Sequence, residues 1–119
     1  MFLWRKTVLE KDYEEKFRKI VTARRGTAYK FTSPGRTGVP DRLVVLPAGA
    51  IGFVEMKKSK RDKPSEAQER QLNKLTHAGQ KCYVLHGGGM DFNLRAAQII
   101  EDIEEGTYPD RRWKITDDL

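Results

Sequence analysis

Cysteine is almost missing from the chain: Cys82 is the only one in 119 residues. No internal disulfide framework is available, and a lone thiol suits a reducing compartment. Histidine is nearly as scarce. His77 and His86 stand alone, without the clustering that zinc needs or the pairing that a serine nucleophile needs. No apolar stretch approaches the roughly 20 residues of a membrane-spanning helix, and the N-terminus lacks the pattern of a secretory signal. Repeats and low-complexity tracts are absent too. These gaps predict a soluble, cytoplasmic protein with no membrane partner. Gly87-Gly88-Gly89 lacks the spacing of a phosphate-binding fingerprint and reads as a connector.

Charge, by contrast, is plentiful. Charged residues make up 34% of the chain and the formal net charge is +6. From Glu101 onward there are seven acids and three bases, so the preceding hundred residues carry +10. An excess of this kind suits a polyanionic partner such as DNA. The length fits one domain with a modest core of its own, its core at about residues 7–105 and a tail at 106–119.

The most informative stretch runs from Gly38 to Lys57. Gly38-Val39-Pro40-Asp41 leads into the apolar run Leu43-Val44-Val45-Leu46. Pro47-Ala48-Gly49-Ala50 then turns the chain into Ile51-Gly52-Phe53-Val54-Glu55-Met56-Lys57, the pattern of a β-hairpin. Alternation puts Ile51, Phe53, Glu55 and Lys57 on one face and Gly52, Val54 and Met56 on the other. Glu55 and Lys57 therefore sit side by side, roughly 6.5–7 Å apart along the strand. Charge at the end of an apolar strand is costly without a partner or a metal. Asp41 and Glu55 offer the hard oxygen ligands that Mg²⁺ or Mn²⁺ prefers, and Lys57 could steady a water or a phosphate. The plainer alternative is a turn aspartate and a solvated Glu–Lys pair.

Three motifs in order, Gly38-Val39-Pro40-Asp41, Phe53-Val54-Glu55-Met56-Lys57 and Pro64-Ser65-Glu66-Ala67-Gln68, resemble the VRR-NUC domain. This is the virus-type replication-repair branch of the PD-(D/E)XK nucleases. The likeness extends from about Glu10 to His86, with Tyr29-Lys30-Phe31 and Ser33-Pro34-Gly35 included. It implies a restriction-endonuclease-like fold and a Mg²⁺- or Mn²⁺-dependent DNA endonuclease. It further implies that the Met56 carbonyl joins Asp41 and Glu55 at the metal, that Glu10 or Glu14 completes the site, and that Gln68 supports Lys57. Lys30 is expected near the active site. Stand-alone phage members form homodimers that act on branched or junction DNA, which the resemblance extends to this chain.

The remaining segments supply a scaffold. Leu9, Tyr13, Phe17, Ile20 and Val21 form an apolar stripe that predicts a helix from Thr7 to about Arg24, with Gly26 as terminator. Within it, Glu10 either caps the helix with Thr7 or serves the site, and Glu14 either pairs with Arg18 or serves the site. A strand is expected at Ala28–Thr32, where Lys30 is either a phosphate contact or an edge-strand charge. Ser33 to Gly38 is a basic glycine-containing loop in which Arg36 is a candidate backbone contact. Lys58, Lys60, Arg61 and Lys63 follow Lys57 in a run that is either a solvated loop or the path of a nucleic-acid backbone.

A second helix is predicted from Ser65 to about Ala78, with Gln68, Leu72, Leu75 and Gly79 along one inward stripe. Ser65 and Gln68 also have capping-box spacing. A strand at Lys81–Leu85 and a helix at Phe92–Glu105 complete an α-β-β-β-α-β-α order, an α/β fold with a mixed central sheet flanked by helices. Cys82 reads as a buried small hydrophobe. Tyr108, Trp113 and Ile115 in the tail, like Met1-Phe2-Leu3-Trp4, pack either on the body or against a second subunit. Two other functions compete with the nuclease: a nucleic-acid-binding module that does not cleave, and a structural protein with a basic face.

Overall fold

In the computed structural model, residues 10–105 and 112–116 are described, with side chains from residue 12 onward. The expected Thr7–Glu10 capping box, the Met1–Trp4 segment and Tyr108 of the tail lie outside the described residues.

The hairpin forms as its alternation requires. β2 (Arg42–Val45) and β3 (Ile51–Lys57) pair antiparallel, with Arg42 opposite Val54 and Val45 opposite Ile51. A short 3-10 turn at Pro47–Gly49 joins them, closed by the Leu46 N–H donating to the Ala50 carbonyl at 2.8 Å. β1 (Thr27–Lys30) pairs antiparallel with β2, so the sheet begins as a meander. Beyond β3 the polarity changes, because helices now carry the chain back across the sheet. α2 (Glu66–His77) returns it to β4 (Cys82–His86), which runs parallel to β3, and α3 (Phe92–Glu104) returns it to β5 (Lys114–Ile115), parallel to β4. The strand order is β1-β2-β3-β4-β5.

Period-two alternation divides the core between the two faces. Val44, Val54, Met56, Tyr83 and Leu85 meet Phe17 and Val21 of α1 (Glu10–Ala23) and Ile99, Ile100 and Ile103 of α3. On the opposite face Phe53, Cys82 and Val84 meet Leu72 and Leu75 of α2. Burying each of these large side chains stabilises the fold by about 1.5–3 kcal/mol. Gly52 leaves room for α3: a Cβ there would lie 2.6 Å from Ile103 Cδ1. Lys81 and Arg95, though buried, find carbonyl partners, and Arg95 Nε lies 3.2 Å from Asp91 Oδ1 in an ion pair. Lys81 Nζ donates to Ile103 at 2.7 Å, and Arg95 donates to His86 at 2.6 Å and to Gly88 at 2.5 Å.

Four local expectations change. The tail contributes a fifth strand: Trp113 and Ile115 pack on the α2 face of their own chain, and Trp113 Nε1 donates to Asn73 at 3.0 Å. The first strand is Thr27–Lys30 rather than Ala28–Thr32, because pairing with β2 ends at Arg42. α1 ends at Ala23, and the left-handed residue that terminates it is Arg25, not Gly26. Arg25 adopts φ 67°, and the N–H groups of Arg25 and Gly26 bond to Thr22 and Val21, a Schellman motif with arginine at the left-handed position. Gly26 is there for space, since a Cβ would sit 2.6 Å from Leu46 Cδ2. Gly79 fills the equivalent left-handed position after α2, at φ 89°, and so lies beyond the helix rather than on its inward stripe. Thr76, buried, completes that stripe instead.

Candidate active site

Extending the β2–β3 register by one residue brings Asp41 opposite Glu55, both on the face that carries α2. Asp41 stands just before β2, after the buried Pro40, and its carbonyl accepts from the Phe31 N–H at 2.9 Å. Its carboxylate closes a gap in the sheet. Phe53 and Lys57 direct their backbone groups to the β4 side, with Phe53 N–H bonded to Lys81 and the Lys57 carbonyl to Gly87. The backbone of Met56 therefore faces the other way, where β2 has already ended. Asp41 Oδ2 takes the orphaned Met56 N–H at 2.7 Å, and the Met56 carbonyl points to the same side.

The Glu55 carboxyl lies beside that of Asp41, close enough to act on its titration. Glu55 is 1% exposed. Burial, above all, pushes the Asp41 carboxyl above its ordinary value of 3.8; the Met56 N–H, Lys57, Arg42 and Glu55 pull against it. Negative charge is thus crowded into a partly dry place where a proton or a cation relieves it.

Lys57 lies next to this pair. Its Nζ is 3.3 Å from Glu55 Oε2 and donates to Gln68 Oε1 at 2.7 Å. That same Gln68 oxygen accepts from the Ser65 N–H at 2.8 Å, while Ser65 Oγ accepts from the Gln68 N–H at 3.2 Å. The capping box and the contact to Lys57 therefore coexist. Gly38 allows the loop before Asp41 to lie against this helix start, since a Cβ on it would fall 2.5 Å from the Ala67 carbonyl.

Glu14 approaches from α1, on the other face. Its partner is not Arg18, which pairs with Glu15 at 2.6 Å. Oε1 of Glu14 instead lies 3.2 Å from Arg42 Nε, and Arg42 also donates to the Ala28 carbonyl at 3.2 Å. A helix side chain has exposed neighbours on its own surface, but Arg42 offers Glu14 a largely buried partner from the sheet. Burial raises the Glu14 carboxyl above 4.5, the negative charge of Asp41 adds to the rise, and Arg42 and Lys30 oppose it. Glu14 and Lys30 thus belong electrostatically to the same neighbourhood as Asp41. The side chain of Glu10 lies outside the described residues.

Sequence reasoning missed Arg42, although its position next to Asp41, with side chain on the opposite face, marks it as a link toward the first helix. Lys30, Arg36, Lys58, Lys60, Arg61 and Lys63 are all exposed, and of these six Lys30 acts on Glu14. The loop holding the last four is pinned where His86 Nε2 meets the Asp62 carbonyl at 2.9 Å.

Among the described residues, no group of three or more His, Cys, Asp or Glu side chains is placed to hold a metal ion by itself. Mg²⁺ does not require one: it commonly keeps several waters and takes one or two carboxylates plus phosphate oxygens. The pair Asp41–Glu55, with a backbone carbonyl beside it, fits that donor set. Cys82 does not take part, since burial pushes its thiol up to about 12.

No family model matches the sequence. A solved structure described as "VRR_NUC domain" superposes with a TM-score of 0.65 at 31% identity, covering 82% of this chain and 97% of that one. A phage protein, "Putative nuclease p44" of Acyrthosiphon pisum secondary endosymbiont phage 1, is 47% identical over 85 residues, 71% of this chain and 86% of that protein. The chain belongs to the VRR_NUC family. A second structure, "VRR_NUC domain protein", shares the fold at 18% identity with a TM-score of 0.59, covering 90% of this chain and 97% of that one. The fold is also that of Pyrococcus furiosus SfsA, solved in complex with Ca²⁺, at 17% identity and a TM-score of 0.50 over 87% of this chain and 54% of that one. The mixed five-stranded sheet with three helices is accordingly the α/β fold of a nuclease-type VRR_NUC domain. No helix among its described residues is long and apolar enough to cross a membrane.

Proposed function

We propose that this VRR_NUC domain is a DNA endonuclease that hydrolyses phosphodiester bonds with the help of Mg²⁺ or Mn²⁺. The observation that carries the reading is the buried Glu55 carboxylate beside Asp41, with Lys57 Nζ 3.3 Å from Glu55 and Asp41 fixed by the Met56 N–H at 2.7 Å. Asp41, Glu55 and the Met56 carbonyl would hold the ion, and Glu14 would complete the site through water, with Glu10 as its alternative. When bound, the ion polarises the phosphate and lowers the pKa of a coordinated water.

The chain's own residues do the rest. Asp41 is held in place by the Met56 N–H, so its second oxygen faces the site without further reorganisation. Lys57, gripped by Glu55 and Gln68, presents its ammonium where a water attacks or where charge grows on the phosphate. Gln68 positions Lys57. Arg42 holds Glu14 toward Asp41. Lys30, Arg36, Lys58, Lys60, Arg61 and Lys63 supply sequence-independent contacts to the DNA backbone, with affinity that falls as salt rises. Action on branched or junction DNA by a homodimer extends the same proposal. It draws support from the family and from the exposed Met90 and Leu94 beside the start of α3, and sedimentation velocity measures it.

The test is incubation of duplex and four-way DNA with wild type, Asp41→Asn and Lys57→Ala, in Mg²⁺ and in Mn²⁺. Wild type is expected to cut, and each variant to cut at least a hundredfold more slowly. Wild type that binds DNA but cuts it in neither metal would replace the proposal with a non-catalytic nucleic-acid-binding module.

A further inference from the structure

A cleft of about 370 Å³ lies between the Phe31–Val39 segment and α2, lined by Phe31, Ser33, Arg36, Val39, Gln71 and Leu75 among others. It adjoins the carboxyl site along both of its walls. On one wall the Phe31 N–H bonds to the Asp41 carbonyl at 2.9 Å. On the other, Gln71 follows Gln68 by one helical turn and shares its side of α2. Gly38 ties the two walls together by its close approach to Ala67 and Gln68. Nothing in the hydrolytic chemistry uses this space.

We propose that the cleft receives one unstacked nucleobase of the strand whose phosphate occupies the Asp41–Glu55 site. The inference rests on the nucleic-acid reading above. The cleft falls near the lower bound of small-ligand sites, about 300–1,000 Å³, so it admits a single base and excludes a base pair. Its chemistry matches a base as well. Phe31, braced by Phe53 at a centroid distance of 5.5 Å, offers an aromatic surface, and Val39 and Leu75 offer apolar contact. Ser33 and Gln71 bring a hydroxyl and an amide, each able to donate and accept along a base edge. Arg36 brings a cation for the adjoining phosphate. Stacking of this kind tolerates any base, so the cleft selects unpaired nucleotides over paired ones without reading sequence. A base leaves a duplex most readily at a mismatch, a nick or a junction. The cleft therefore gives the domain a physical means of preferring such structures.

The experiment measures binding of the Asp41→Asn protein, in Ca²⁺, to fluorescein-labelled duplex and four-way oligonucleotides. Successive nucleotides are replaced by an abasic residue, and the scan is repeated with Gln71→Trp added to fill the cleft. One abasic position is expected to weaken binding about tenfold, the range for loss of one stacked base. With Gln71→Trp that penalty is expected to fall below twofold, while the thermal melt is unchanged. Gln71→Ala, which leaves the cleft open, is expected to retain most of the penalty. An abasic scan with no sensitive position, a penalty that survives Gln71→Trp, or absence of DNA binding would each overturn the proposal. Cleavage by wild type is scored separately. Cutting without a cleft-dependent position overturns only this inference; cleft-dependent binding without cutting overturns only the hydrolytic reading.

Discussion

Replacing Asp41 by asparagine should make the metal-free protein more stable while abolishing cleavage. The carboxylate sits in a partly dry gap beside Glu55 and within the field of Glu14, and burial raises its pKa. The amide keeps what is favourable: Oδ1 still accepts the Met56 N–H, and Nδ2 can donate to the neighbouring Glu55 carboxylate. What disappears is the desolvation of a charge. Replacing buried charge by a fitting neutral group stabilises proteins by about 1–4 kcal/mol, and partial exposure sets Asp41 at the low end, about 1–2 kcal/mol. For a chain of 119 residues the unfolding entropy is about 0.25 kcal/mol/K, so the melting temperature should rise by about 4–8 °C.

The sign of the pH dependence follows from the raised pKa. Below about 3.8 both folded and unfolded chains hold the Asp41 proton and the substitution gains nothing by this route. Above that value the unfolded chain releases the proton first, so the wild type loses stability until its folded carboxyl ionises too. The advantage of Asp41→Asn should therefore grow with pH through this window and then level off. Mn²⁺ at ten times its dissociation constant should raise wild-type stability by about 1.4 kcal/mol and leave the variant almost unmoved. Calorimetry between pH 3.5 and 8, with and without Mn²⁺, reads all three quantities. A variant that melts below wild type at neutral pH, or a difference that does not vary with pH, would refute the account of Asp41 as a strained ligand.

Three further outcomes are expected. Arg25→Gly should stabilise the protein by about 0.5–1 kcal/mol, because glycine adopts the left-handed conformation at φ 67° without steric cost; denaturant titration measures it. Gly38→Ala should cost about 2–4 kcal/mol, combining left-handed strain with a Cβ 2.5 Å from the Ala67 backbone. Gly35→Ala, equally left-handed at φ 79° but facing open space, should cost only about 1 kcal/mol. Cys82, with its thiol raised to about 12, should have about one thiolate in ten thousand at pH 8, and should react with a thiol reagent only at the rate of global unfolding.

Much of this arrangement is legible from spacing. Alternation along the hairpin put Glu55 and Lys57 on one face and Val54 and Met56 on the other, and the core divides along that line. Ser65 and Gln68 carried a local capping signal, which the structure realises. Features set by distant contacts were not legible. The partner of Glu14 is twenty-eight positions away in Arg42, whereas sequence proximity favoured Arg18. β5 comprises only two residues, too short for periodicity, and exists because β4 offers it an edge. Gly26 had the look of a helix stop, yet packing against Leu46 accounts for it and the neighbouring arginine bears the unusual backbone angle.

One oxygen atom, Oε1 of Gln68, answers to two donors at once: the amide that begins a helix and the ammonium that serves the chemistry. Drift at this position is consequently exposed to selection from two directions. A shorter side chain loosens the helix start and unseats the lysine in the same step, so neither property can be traded away quietly for the other. Glutamate alone keeps the reach and the acceptor, which leaves the lineage a single neighbouring sequence through which to explore a different charge at its active centre.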